Sequence, residues 1–146
     1  MSLPDIKDIY LYRITHIDNI SHIVGNGVTH RCSNRRNANY VGIGDVSLIS
    51  YRSSKLVITK RGNEITLGDY IPFYFGVRMP MLYVIQNGFN QAQLIEPKNL
   101  VYVVVGLSSI VGSGEFEYYY SDGHATNKLS VVYGKEDIMD LPSNVD

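Results

Sequence analysis

A polar, basic loop is the first part of this sequence whose residue types could do chemistry. Residues 28–44 show little periodicity and carry Arg31, Arg35 and Arg36 among several asparagines. This composition is typical of a loop that covers a site or contacts phosphate groups. An ordinary solvated loop would have the same composition, so the pattern by itself leaves both interpretations open.

A second candidate is the aromatic stretch from 67 to 85, LGDYIPFYFGVRMPMLYVI. Pro72 precedes the apolar strand that this pattern predicts, and Pro80 stands at the predicted start of a helix, where its missing N–H costs nothing. The twelve tyrosines of the chain suit ligand-stacking surfaces, which are apolar on the ring face and polar at the tip. They suit half-buried strands equally well, so a core strand leading into a core helix is the alternative to a ligand site.

His124 is the histidine whose setting most resembles a site. Asp122 and Gly123 predict a tight turn directly after an aromatic strand over 116–120, which would present His124 at a strand end.

Cys32 is the only cysteine, which excludes an intrachain disulfide and a cysteine-based zinc site. Neither a Walker A motif nor a strand–GxGxxG–helix unit is present. We therefore expect no metal, and a solvated loop is the alternative for His124.

Two elements near the start of the chain must position the next candidate, Arg13. The sequence IYLYRIT predicts a strand over 9–15 that sets Arg13 among apolar neighbours, in a cleft or at a sheet edge. A short helix should follow this strand. Its apolar side is predicted from Ile20, Ile23 and Val24, its cap from Asp18 or Thr15, and its end from Gly25 and Gly27.

The later elements are predicted from equally local patterns. Residues 45–51 favour one or two helical turns that lead to Arg52, and residues 56–60 and 64–67 favour a hairpin around the turn at 61–63. The apolar run LVYVVV at 100–105 predicts a strand buried on both faces. From Gly134 onward the chain is acidic and weakly helical.

Composition sets the class of protein. A length of 146 residues predicts one domain, residues 1–146, and a hydrophobic fraction of 45 % allows a real core. A formal net charge of −1 gives no strong field toward nucleic acid or membrane, so a nucleic-acid site would be a local patch. No signal-peptide pattern and no membrane-spanning apolar run is evident. We expect a cytoplasmic protein without a membrane partner.

Five motifs together resemble a known family, the DarT toxins of DarT–DarG toxin–antitoxin pairs. The most specific motif is DYIPFYFGVRMPML at 69–82, and the turn YSDGHA at 120–125 is the second. The others are YRITHIDNI at 12–20, the arginine after a short helix at Arg52, and LVYVVV at 100–105. The resemblance covers essentially the whole chain.

The resemblance implies an α+β, ADP-ribosyltransferase-like fold with two sheets around an NAD cleft. It implies an enzyme that splits NAD at the nicotinamide–ribose bond and attaches the ADP-ribose to a base, thymine or guanine, in single-stranded DNA. A DarG-like macrodomain antitoxin, which removes the mark, is the implied protein partner. NAD is the implied co-substrate, and no metal is implied.

The resemblance also implies roles for particular residues. Arg52 falls at the catalytic arginine, which contacts the NAD phosphates and helps to orient the base. The implied NAD-binding residues are Arg13, Thr15, His16, Tyr74 and Phe75, and the implied DNA contacts are Arg78, Met81 and His124. Arg13 departs from the family, whose first strand reads YHITH, and an arginine is not equivalent to a histidine as a ligand group.

A second departure concerns the catalytic glutamate, which the family carries in a pattern like RRxAEFLV. No such pattern occurs up to Asp146, so we expect the N-terminal portion of the family's domain, a core incomplete at its C-terminus, and weak or no transferase activity from this chain alone. Two alternatives stay open. One is a non-catalytic module that binds NAD or single-stranded nucleic acid. The other is an interaction module that uses the fold as a scaffold.

Overall fold

The computed structural model describes residues 5–30, 32–43, 46–77 and 95–141, which form short helices and short strands. The strands are β1 (Tyr10–His16), β2 (Leu56–Ile58), β3 (Glu64–Thr66), β4 (Leu100–Gly106), β5 (Tyr120–Ser121) and β6 (Val132–Tyr133). The α-helices are α1 (Ile20–Asn26), α2 (Val46–Ser53) and α3 (Leu107–Ser113), and 3₁₀ turns cover Ile6–Asp8, Ile17–Asn19, Leu67–Asp69, Pro97–Asn99 and Lys135–Asp140. Among the residues that the structure describes, none of the helices combines the length and the apolar character of a membrane span.

The chain forms two compact units. Unit 1 comprises Met1–Tyr10, Arg52–Tyr70 and Val105–Asp146, and unit 2 comprises Leu11–Tyr51 and Ile71–Val104. Within the described residues the strands pair as three two-stranded sheets, β1 with β4, β2 with β3 and β5 with β6, where the family resemblance implies two sheets. Strands and helices mixed in this way make an α+β fold, as predicted.

Unit 2 is organised around strand β1, which lies within one residue of its predicted position. Its core contains Ile14, Ile43 and Ile95, and Tyr12, Tyr74 and Leu100 pack against that core. Helix α1 ends at Gly27, whose φ of 77° is readily adopted by glycine, so the predicted end is confirmed. The predicted cap is wrong, because the N-cap residue of α1 is Asn19, whose side chain makes no capping hydrogen bond. The 3₁₀ turn before it is capped by the His16 ring, which accepts the Asp18 N–H.

Unit 1 contains the predicted hairpin. Strands β2 and β3 are antiparallel with Val57 opposite Ile65, and the turn between them contains Gly62 at a φ of 88°. The Arg61 guanidinium, in the same turn, donates to both carboxylate oxygens of Asp137 at 3.0 and 3.3 Å. Asp137 belongs to the 3₁₀ segment that follows β6, and its carbonyl accepts the Tyr120 hydroxyl at 2.6 Å. The hairpin turn, β5 and the last segment are thus fastened together.

Three predictions about strands are wrong. Strand β4 alternates in exposure, with Tyr102 39 % and Val104 52 % exposed, so the face that carries these two side chains is open to solvent instead of buried. The strand predicted over 116–120 is reduced to Tyr120–Ser121. The aromatic strand predicted after Pro72 is reduced to a single bridge at Tyr74, since a proline offers no N–H to a ladder. The helix predicted from Pro80 lies outside the described residues.

Candidate active site

In unit 2, a two-hydrogen-bond bridge joins β1 to the aromatic stretch. The Tyr12 N–H donates to the Tyr74 carbonyl at 2.7 Å, and the Tyr74 N–H donates to the Tyr12 carbonyl at 2.8 Å. Beside the bridge, the half-buried Arg13 guanidinium donates to the Pro72 carbonyl at 3.1 Å. Three of the predicted NAD-binding residues, Arg13, Tyr74 and Phe75, therefore lie on one part of this unit. A guanidinium held by its backbone contact has further N–H groups for phosphate or ribose oxygens.

The other two predicted NAD-binding residues, Thr15 and His16, end strand β1. Thr15 is only 2 % exposed, and its hydroxyl accepts an N–H from the Asn19 side chain at 3.0 Å. The Nδ1 atom of His16 accepts the Asp18 backbone N–H at 3.0 Å and lies 3.6 Å from the Asp18 carboxylate. A neutral ring in this arrangement carries its proton on Nε2, so Nε2–H is the donor that His16 offers to a ligand.

Asn19 is the residue at this site that sequence reasoning missed. It is 1 % exposed, and its amide donates to the Thr15 hydroxyl and to the Val41 carbonyl at 2.8 Å. Its side-chain oxygen accepts the Val41 N–H at 2.8 Å. One buried side chain thus joins β1 to the far end of the basic loop. The available signal was a polar residue inside an apolar helical pattern, four positions after Thr15.

In unit 1, Arg52 lies in the last turn of α2, where a cation complements the partial negative charge of the helix end. Its guanidinium is half-buried and donates to the Tyr70 carbonyl at 3.2 Å. Gly68 lies directly against the backbone of Ser53, the neighbour of Arg52, and a Cβ at Gly68 would overlap the Ser53 carbonyl group. The segment that holds Arg52 is therefore closely packed.

Tyr70, which holds Arg52 through its carbonyl, has its own ring in a closely packed environment. The ring lies edge-on to Tyr119, with centroids 5.3 Å apart. Burial, together with the negative charge of Glu117, raises the pKa of Tyr70 to about 12. The Tyr70 hydroxyl therefore stays protonated even at alkaline pH near 10, where an ordinary tyrosine begins to ionise, and it adds no negative charge near Arg52.

The predicted DNA contacts are only partly covered by the structure. Arg78 and Met81 lie outside the described residues. His124 is exposed after β5 and the bend at Asp122 and Gly123, as predicted. Its Nδ1 atom lies 2.7 Å from the Thr126 hydroxyl, and Asp122 accepts the Val131 N–H at 2.8 Å. The loop that carries His124 is thus fixed by its own hydrogen bonds.

Comparison with known proteins supplies the family. A sequence model of the DarT family, described as "ssDNA thymidine ADP-ribosyltransferase, DarT", matches residues 12–146. Over 132 residues the chain is 33 % identical to a DNA ADP-ribosyl transferase of Escherichia coli O127:H6, covering 89 % of this chain and 58 % of that protein. It is 30 % identical to a DNA ADP-ribosyl transferase–DNA ADP-ribosyl glycohydrolase fusion protein of Thermosipho africanus, covering 90 % of this chain and 31 % of that protein. The chain therefore spans about a third to three fifths of the length of these curated relatives.

Solved structures supply the fold. The structure of Thermus sp. 2.9 DarT in complex with ADP-ribosylated ssDNA superimposes with a TM-score of 0.69 at 24 % identity, covering 96 % of this chain and 64 % of that chain. Thermosipho africanus DarTG in complex with ADP-ribose gives a TM-score of 0.69 at 28 % identity, covering 92 % of this chain and 34 % of that chain. The α+β fold is thus the ADP-ribosyltransferase-like fold. With the family match over residues 12–146, this chain belongs to the DarT family.

Proposed function

We propose that this chain provides the NAD-binding and arginine-bearing part of an ADP-ribosyltransferase that modifies a base in single-stranded DNA, as the toxin of a toxin–antitoxin pair. The observation that carries the proposal is the Tyr12–Tyr74 bridge, which gathers Arg13, Tyr74 and Phe75 in one unit of a DarT-family chain. The structure of Thermus sp. 2.9 DarT in complex with NAD+, at a TM-score of 0.67 and 23 % identity, supports the choice of co-substrate.

The proposed reaction transfers ADP-ribose from NAD to DNA. Nicotinamide leaves the ribose with the electrons of the bond that breaks, a nitrogen of the base bonds to the same ribose carbon, and the base loses a proton. Arg13 and Arg52 bind oxygen atoms of NAD, His16 donates from Nε2, and the rings of Tyr74 and Phe75 pack against nicotinamide. Arg78, Met81 and His124 contact the DNA strand. Splayed bases stack on aromatic and guanidinium planes, which suits these residue types.

A second protein belongs to the proposal. The relative from Thermosipho africanus is a fusion of a DNA ADP-ribosyl transferase with a DNA ADP-ribosyl glycohydrolase. We therefore propose that a DarG-like macrodomain partner reverses the modification that this protein makes. The expected location is the cytoplasm, where NAD and DNA occur together.

Intact-mass spectrometry of single-stranded DNA tests the proposal. This chain is incubated with NAD and oligomers of mixed sequence. Because the catalytic-glutamate pattern does not occur in it, the expected result is at most a slow gain of one ADP-ribose per modified strand. Arg52→Ala should lower the rate by about 10²–10³-fold, because it removes a charged donor from the transition state. Lys7→Ala, which removes an exposed charge in the same unit, should retain the wild-type rate.

The other outcomes separate the alternatives. No mass gain together with saturable NAD binding would contradict catalysis by this chain and support a non-catalytic NAD-binding module. No mass gain and no NAD binding would leave only an interaction module built on the same fold.

A further inference from the structure

Charge is unevenly distributed along this nearly neutral chain. Residues 19–63 contain seven lysines and arginines but one acidic residue, whereas residues 64–146 contain four lysines and arginines and ten acidic residues. No acidic residue occurs between Asp18 and Asp45, the stretch that includes the basic loop. The small net charge therefore conceals a local basic surface.

Residues 32–41 of this loop are called the arginine loop below, and together with His30 they form consecutive turns. At His30, Ser33 and Asn37 the side chain accepts the backbone N–H two residues later, at 3.1, 3.1 and 2.9 Å. The carbonyls of the same three residues each accept the backbone N–H three residues later, at 2.9, 3.2 and 3.2 Å. Side-chain turns of this kind fix the backbone without a helix or strand. The arginine loop is thus ordered by its own hydrogen bonds.

The C-terminal end of the arginine loop is fastened to the core of unit 2. Buried Asn19 binds both the N–H and the carbonyl of Val41, each at 2.8 Å. Two residues later, Ile43 is 7 % exposed and belongs to the core with Ile14. A loop held in this way loses little conformational freedom when a ligand binds its exposed side chains.

Arg35, Arg36 and Tyr40 are the cationic and aromatic side chains that the arginine loop presents to solvent. All three are exposed, Tyr40 at 51 %. No carboxylate in the described ranges forms an ion pair with either guanidinium. One N–H of Arg36 donates to the Ser33 carbonyl at 3.3 Å, which orients the guanidinium and leaves its other N–H groups for a ligand. Two cations and one aromatic face thus share a short, fixed loop.

A polyanion suits this surface better than a small phosphate ligand. A single ion pair in water contributes little, because solvent and salt screen it. A nucleic-acid strand gains affinity at every phosphate that a cation neutralises, because condensed counterions are released. The exposed ring of Tyr40 adds a face on which an unpaired base can stack, which a double helix would not offer.

We propose that the arginine loop is a second contact surface for single-stranded DNA, at which Arg35 and Arg36 bind backbone phosphates and Tyr40 stacks on a base other than the one that reacts. This inference rests on the proposed function, since it describes more of the binding site for the same DNA. It predicts affinity for a strand that extends beyond the reactive base, with little dependence on sequence.

The test measures binding of a fluorescent single-stranded oligomer at several salt concentrations. In Arg35→Ser/Arg36→Ser, the slope of log affinity against log salt should become shallower by about 1.4, because each lost phosphate contact on a single strand removes about 0.7. Lys7→Ser/Lys98→Ser removes the same charge from two exposed lysines outside the proposed DNA contacts and should keep the wild-type slope. Tyr40→Ala should lower affinity by about tenfold with the slope unchanged. NAD titrations should be alike for all variants.

Several results would overturn the inference. A wild-type salt slope in the double arginine variant would overturn it. The proposed function would still stand if the mass-spectrometry experiment described above showed that this variant adds ADP-ribose to DNA. Weaker NAD binding with an unchanged DNA slope would assign the arginines to a dinucleotide phosphate instead. Failure of the wild-type chain to bind DNA would also overturn the inference, and the separate NAD titration would then decide on the proposed co-substrate.

Discussion

Asn19 shows how much of this fold depends on one buried side chain. Its amide satisfies the Thr15 hydroxyl and both backbone groups of Val41. Asn19→Ala would leave these groups without a partner, and we expect the free energy of unfolding to fall by about 2–4 kcal/mol. Asn26→Ala, which removes one exposed bond to the His22 carbonyl, should change it by less than about 0.5 kcal/mol. Urea denaturation measures both, and equal effects would contradict the importance given to Asn19.

A second residue-scale prediction concerns Asp137 and acid. The hydrogen bond from Arg61 holds the pKa of Asp137 below its ordinary value of 3.8, and the charge of Arg61 acts in the same direction. The folded state then binds the proton less readily than the unfolded state, so the stabilisation is complete above about pH 4 and is lost as pH falls through the lowered pKa. Melting temperatures between pH 2 and 6 should therefore decline more steeply for wild type than for Arg61→Gln. Lys98 forms an exposed ion pair with Glu96, so the melting temperature of Lys98→Gln should decline with pH as that of wild type does. Parallel curves for all three proteins would show that the Arg61–Asp137 pair does not cause the loss of stability in acid.

At the scale of elements, the contact between α2 and the 3₁₀ turn after β3 decides where Arg52 lies. In Gly68→Ala the new methyl group would overlap the Ser53 carbonyl, so the backbone must shift, and we expect a loss of about 1–3 kcal/mol in the free energy of unfolding. Gly112→Ala is the matched control, because nothing lies within 4 Å of a Cβ there and α3 should gain about 0.5–1 kcal/mol from the better helix former. If thermal unfolding showed Gly68→Ala to be as stable as wild type, the contact between Gly68 and Ser53 would not be closely packed.

The elements that the sequence predicted well are those encoded locally. Strand β1, the hairpin and α2 follow from alternation, a turn signal and a short periodic run, and each needs little information from distant residues. The predicted burial of β4 was wrong because the burial of a strand face depends on what packs over the sheet, and an apolar run does not specify that. Three of the residues 116–119 are aromatic, but the segment lacks a partner strand in the described ranges, so β propensity alone did not make a strand there.

The candidate site was predicted through resemblance far more than through residue chemistry. The motifs located Arg13, Arg52 and Tyr74, and the structure adds what holds each of them, namely the carbonyls of Pro72 and Tyr70 and the backbone of Tyr12. Backbone acceptors of this kind have no sequence signature, because every residue carries a carbonyl. The burial of Thr15 was likewise not predictable from the sequence, because it depends on the hydrogen bond from Asn19.

At the scale of the whole molecule, NAD binding is the property that separates a working site from a scaffold. A ligand that binds only the folded state, at a concentration a hundred times its dissociation constant, stabilises that state by about 2.7 kcal/mol. For a chain of this size we therefore expect NAD to raise the melting temperature by about 6–12 °C. Arg13→Ala should need more NAD for the same rise, because it removes a cation from the proposed phosphate or ribose contact. Arg36→Ala, on the arginine loop, should respond as wild type does. A melting temperature that stays constant over all NAD concentrations would exclude NAD as a ligand of this chain and favour the interaction module.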